Sequence, residues 1–356
     1  MKRHSLNDYL RISDSQHSRF ERLYEGYRRF YEDPDDAEPK IIINVPPQNP
    51  PSWEEQLAEP LLMLAVQLDQ IRSHIEIGDD YVPAVRVNFG TAQVAFAFGC
   101  EPAFPTNNLP AAGTHILKKA EDVYRLAKPS LDAGWFGKLR EWTDIWLDNL
   151  PEGVHIYHPD IQSAFNTAHL VRGNDILTDF YDNPQALEAL LTLVTDYMIE
   201  LVPVLKSHIS ADKDWFFDWG AMWKGIARIS NCTVDLIGPD FYREFVLRHD
   251  IRFLKSIGGG RVHCCASSGE VIRGFFANPE ITGLDFDAGI HNAWEMAELA
   301  PKTVSLVFQY YGHPFPATSR LLAGDWPKKR NIILITEAQS LEEARNLLAD
   351  LRRSIP

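Results

Sequence analysis

The stretch Gly258-Gly259-Gly260-Arg261-Val262-His263-Cys264-Cys265-Ala266-Ser267-Ser268-Gly269-Glu270 holds, in order, a glycine break, a short strand and a helix start. Arg261 to Cys265 reads as the strand. Side chains alternate along a strand, so His263 and Cys265 share one face and Cys264 takes the other. An imidazole and a thiolate one residue apart make half of a zinc site. Ser267 followed three residues later by Glu270 is a capping box, so a helix begins directly after the strand. The pair then stands at a strand C-terminus beside the positive end of a helix, where α/β folds bind ligands. Two adjacent cysteines also suit a packed core, and on this stretch alone the two readings weigh equally.

Further apolar runs lie on either side. Residues 40–44, 84–89, 153–157, 215–219, 261–265, 282–287, 303–308 and 331–336 read as strands one to eight, each followed by helical sequence. Near-continuous apolar strands separated by helices imply a parallel sheet buried on both faces. Eight such units predict an α/β fold, a (β/α)8 TIM barrel over residues 40–356. An open doubly wound sheet competes, but no Gly-x-Gly-x-x-Gly and no Gly-x-x-x-x-Gly-Lys-Ser/Thr follows a strand. Residues 1–39 form an N-terminal helical extension. There Phe20, Tyr24, Tyr27 and Tyr31 share one helical face, which packs on the body or, as the alternative, makes an oligomer contact such as a homodimer. The long excursion from Gly90 to Pro110 is apolar enough to wall a pocket.

The chain has 356 residues, 45% hydrophobic and 24% charged, a globular composition. A net charge of −14 without a basic run argues against nucleic acid and anionic membranes as partners. No segment approaches the length of a membrane span and no signal peptide is legible. With four cysteines and no such signal, a reducing cytoplasm is the expected setting and the thiols are free for metal.

In a barrel, polar residues at the C-terminal ends of strands are the catalytic candidates. They are Asn44, Asn88, the group His158, Asp160 and Gln162, then Asp218 with Trp219, His263 and Cys265, Asp285 and Asp287, Gln309, Tyr310 and His313, and Thr336 with Glu337. Asp160, Asp218 and Gln309 are the expected catalytic groups. Asn44, Asn88, Gln162, Trp219, Tyr310 and His313 are the expected substrate contacts. Each has a plainer role open to it, as a cap, a turn or packing; their number at one barrel end is the stronger signal.

The arrangement resembles the uroporphyrinogen decarboxylase superfamily. The resemblance is carried by the Asn183-Pro-Gln-Ala-Leu187 and Asp240-Phe-Tyr-Arg-Glu-Phe245 helix starts, the glycine-rich His-x-Cys strand and Ser340-Leu-Glu-Glu-Ala344. It implies either cofactor-free decarboxylation or zinc-dependent methyl transfer between a corrinoid protein and a thiol. The decarboxylases carry an arginine-rich signature after the first strand, where this chain has Val45-Pro-Pro-Gln-Asn-Pro-Pro51. His263 and Cys265 match the methyltransferases. The resemblance further implies an acidic metal ligand one strand on, at Asp287. The family's last cysteine is absent, and Glu337 stands at that place as an oxygen ligand. The expectation is a zinc methyltransferase acting on a small molecule, with a corrinoid supplied by a partner protein. A metal-independent decarboxylase, with Arg86 and Arg172 holding carboxylates, and a non-catalytic binding barrel are the alternatives.

Overall fold

The computed structural model describes residues 9–265, 269–309 and 318–356. Eight parallel strands close a TIM barrel. They are Lys40–Asn44, Ala84–Val85, His155–Ile156, Ala227–Ser230, Gly260–Cys264, Ile281–Asp287, Ser305–Gln309 and Ile332–Glu337. Strands four to eight and strand one form a continuous six-stranded sheet. The second and third pair with each other, and a bridge from Gln162 to Ser230 joins them to the fourth.

Closure between strands one and two uses side chains. The carboxylate of Asp80 accepts from the Ile41 N–H at 2.9 Å, and that of Asp79 from the Ile43 N–H at 2.8 Å. These donors face a seam with no complete ladder, and buried backbone N–H groups must find acceptors. Outward-facing Ile41, Ile43, Val262, Cys264, Leu284 and Leu334 join the helices in the main core. Inward-facing Ile42, Val307, Ile333 and Ile335 belong to a second cluster.

The fourth strand corrects the sequence expectation. Residues 215–219 are not in the barrel wall. Trp215–Asp218 pairs antiparallel with Ala221–Lys224 across a two-residue turn. Trp219 (φ 50°) and Gly220 (φ 67°) both take left-handed backbone, the requirement of a type I′ hairpin turn. Trp219 is a poor residue for that conformation, which hid the turn in an apolar run. The wall strand is the next one, Ala227–Ser230.

The hairpin plugs the barrel from its N-terminal end. Its open end lies beside the strand starts: Thr282 Oγ1 donates to Lys224 O, and Trp223 packs where a Cβ on Gly283 would stand. Its turn reaches Arg228, Arg261 and His263 inside. Helix Asp14–Glu32, capped by Ser13 and Gln16, covers the plug with Phe20, Tyr24, Tyr27 and Phe30, and Tyr31 bonds Ser305. Its aromatic face therefore packs on the barrel. Among the described residues, no helix is long and apolar enough to cross a membrane.

Candidate metal centre and the charged barrel interior

His263 sits inside the barrel, as strand alternation requires, and Cys264 is buried on the opposite face with its thiol directed to Asn231 O. The third member of the group is Cys232, just beyond the fourth strand. Ligand atoms of Cys232, His263 and Cys265 all lie within 4.8 Å of one another. Cys232 is held there by its neighbour. Asn231 donates its N–H to His263 O at 2.8 Å, accepts from Ser163 Oγ and donates to the buried Asp250 carboxylate.

Electrostatics prepare the three groups differently. Hydrogen bonding from Cys232, then from His263, pulls the Cys265 thiol down to about 5. The Cys232 thiol is pushed up by the same contact and by burial. Burial opposes a charged His263, but the Asp285 carboxylate outweighs it and raises the imidazole to about 9. Asp285 takes the Nδ1 hydrogen, so Nε2 is the nitrogen that would meet a metal once its own proton is displaced. Two sulfurs and one nitrogen form a donor set that zinc accepts, with the histidine tautomer already fixed.

Beneath this group runs a buried ionic chain. Arg261 bonds Asp218 and sits 3.1 Å from Asp285. Arg228 bonds Asp160 and sits 2.8 Å from Asp218. Trp219 stacks under both guanidiniums, 5.4 Å and 4.8 Å from its ring, and meets the His263 ring edge-on at 5.2 Å.

The expected site residues divide accordingly. Asp218 is 0% exposed and serves as counterion to Arg228 and Arg261. Burial works against the charge on Asp160, but Arg228 and Arg86 prevail and lower it to about 2. Gln162 bonds Asp160 and Asn166 rather than facing open space. Asp287 is not in the Cys-His-Cys group; its carboxylate closes a turn by accepting from the Gly289 N–H at 2.8 Å. Gln309 is its register partner on the seventh strand. Asn44 and Glu337 are register partners on the first and eighth strands. Strands six and seven separate Glu337 from the fifth, and it too is outside the group. Asn88 accepts from Gly90 N–H and lines a cavity with Asn107 of the 90–110 excursion. Tyr310, His313 and the Ser267 cap lie outside the described residues.

Sequence reading missed Cys232. Cys232 opens a 3-10 turn just past the strand Ala227–Ser230, so strand alternation does not reach it and no local pattern announced it.

The family model described as uroporphyrinogen decarboxylase (URO-D) matches residues 48–307. No curated protein matches the sequence. Among solved structures, a methyltransferase from Methanosarcina mazei shares the fold with a TM-score of 0.69 at 19% identity, over 93% of this chain and 97% of that one.

Proposed function

The chain belongs to the uroporphyrinogen decarboxylase (URO-D) family, and on that premise we propose a zinc-dependent methyltransferase. Its acceptor is a small-molecule thiol, and its methyl group arrives on the corrinoid of a partner protein. One observation carries the proposal: Cys232, His263 and Cys265 converge from two adjacent strands with ligand atoms within 4.8 Å. Cys232, His263 and Cys265 would hold a zinc ion and leave room for a substrate ligand beside it. When bound, zinc supplies a Lewis acid that keeps a substrate thiol as thiolate at neutral pH.

The chain's own residues do the positioning. Asp285 fixes the tautomer and tilt of His263, and Arg261 in turn holds Asp285. Trp219 packs its ring edge-on beneath the imidazole and belongs to the border of the second apolar cluster. Cys265 is exposed at the mouth, where a substrate could reach it, and its depressed pKa favours the thiolate without a separate base. A metal-independent decarboxylase would need Asp160 or Asp218 as acid or anchor, and both are occupied by arginines.

The test uses methylcobalamin as free donor and a panel of small thiols, with thioether formation as readout. Methyl transfer that a chelator abolishes and zinc restores is expected. Carbon dioxide release from a carboxylated substrate by chelated protein, without methyl transfer, would replace this reading with decarboxylation.

A further inference from the structure

The candidate metal centre gathers two of the chain's four cysteines, and two thiols side by side can react with each other as well as with a metal. Ser230 and His263 are register partners on the fourth and fifth strands, and the Asn231 N–H continues the ladder to His263 O at 2.8 Å. Cys232 and Cys265 each stand two residues past that register pair. Neighbouring strands run about 4.7–4.9 Å apart, and a disulfide needs its Cα atoms about 4.4–6.8 Å apart. The two sulfurs lie within 4.8 Å and within hydrogen-bonding reach of each other. Side-chain rotation beyond the end of the ladder can close the rest of the gap.

Exposure gives the pair an order. Cys265 is exposed and Cys232 is half-buried. An oxidant arriving from solvent meets Cys265 first, with Cys232 beside it as the resolving thiol. The other two cysteines are turned elsewhere. Cys264 is adjacent in sequence but buried on the opposite strand face, its thiol directed to Asn231 O at 3.7 Å. Cys100 is buried with its thiol directed to Leu170 O at 3.6 Å. An accessible cysteine next to a resolving one is the arrangement of a redox sensor, whereas buried structural cysteines are inert.

We propose that Cys232 and Cys265 form a reversible disulfide when the metal-free chain meets a hydroperoxide, and that this modification closes the centre to metal. The first half rests on the sulfur pair alone; the second rests on the zinc reading above. The Cys265 sulfur first takes an oxygen from hydrogen peroxide, giving a sulfenic acid and water. The Cys232 sulfur then attacks the Cys265 sulfur. The S–S bond forms, the S–O bond breaks, and the hydroxyl leaves with the Cys232 proton as a second water. Two electrons pass from the two thiols to one peroxide, and a dithiol returns them. Two of the three donors are then tied to each other, and His263 is the one donor of the group left to a metal.

The experiment titrates the whole chain with hydrogen peroxide after chelator dialysis, and again with one equivalent of zinc present. Thiols are counted in denaturant, and intact mass and tryptic mapping locate the link. The count should fall from four to two and the mass by two hydrogens, with Cys232 and Cys265 in the linked peptides. Dithiothreitol should restore all four thiols. Cys232→Ser should stop at a Cys265 sulfenic acid that dimedone traps, and Cys265→Ser should keep its remaining thiols at the same dose. The oxidised chain should bind no zinc until it is reduced, and zinc should protect the reduced chain. A link between Cys264 and Cys265 overturns the proposal, as does survival of all four thiols. Over-oxidation of Cys265 with Cys232 still a thiol overturns it too. A disulfide that forms as fast with zinc as without it overturns the closure to metal. If the reduced chain binds no zinc yet still forms the disulfide, the zinc reading falls and the sulfur pair stands.

Discussion

Asp285 and His263 are register partners on the sixth and fifth strands, and the carboxylate of the one holds the imidazole of the other. The pair ties the candidate metal centre to the ionic chain below it, because Asp285 is also the partner of Arg261.

Asp285→Asn should therefore weaken zinc binding about 10–100-fold, the usual effect of losing the carboxylate behind a ligating histidine. Competition with a chromogenic chelator measures it. An unchanged affinity would make Asp285 merely a counterion of Arg261.

Asp218→Asn removes the shared counterion of Arg228 and Arg261 deep in the barrel. A buried charge left without its partner costs about 3–5 kcal/mol. Urea denaturation should show a loss of that order. If Asp218 were instead a catalytic acid, the variant would lose turnover and keep its stability.

Gly220→Ala tests the plug. A Cβ there would collide with the Tyr81 ring, on a residue with φ of +67°. Strain of this kind costs about 1–3 kcal/mol, so the melting temperature should fall. Any effect on metal content should be secondary to displacement of Trp219 from His263.

Asp250 gives a pH dependence. Burial raises its carboxyl to about 7 despite hydrogen bonds from Asn231 and Tyr242. The folded state therefore holds a proton that the unfolded state releases near pH 4. Stability is full below that value and declines as pH rises to 7, by up to roughly 4 kcal/mol from this group. In Asp250→Asn the decline between pH 4 and 7 should flatten, and the variant should be the more stable one at pH 8. Chemical denaturation across that range decides it; parallel curves for the two proteins would refute it.

The barrel was legible because seven of its strands are short apolar runs between helices, as at Lys40–Asn44 and Ile332–Glu337. The fourth was not, because Trp215–Trp219 satisfies the same pattern while its turn depends on an unusual tryptophan conformation. His263 and Cys265 could be paired from alternation within one strand. Cys232 could not, since its approach depends on which strand neighbours the fifth, and no local pattern encodes that contact. The roles of Asp160 and Asp218 were likewise hidden, because arginines distant in sequence neutralise them.

The central claim is that Cys232, rather than a carboxylate, is the third metal ligand. Cobalt(II) substitution tests it most directly, because thiolate-to-cobalt charge transfer counts sulfur ligands. The account predicts one equivalent bound with absorbance for two thiolates, falling to about half in either Cys232→Ser or Cys265→Ser. Failure to bind cobalt stoichiometrically, or a Cys232→Ser spectrum identical to that of the parent, would contradict it.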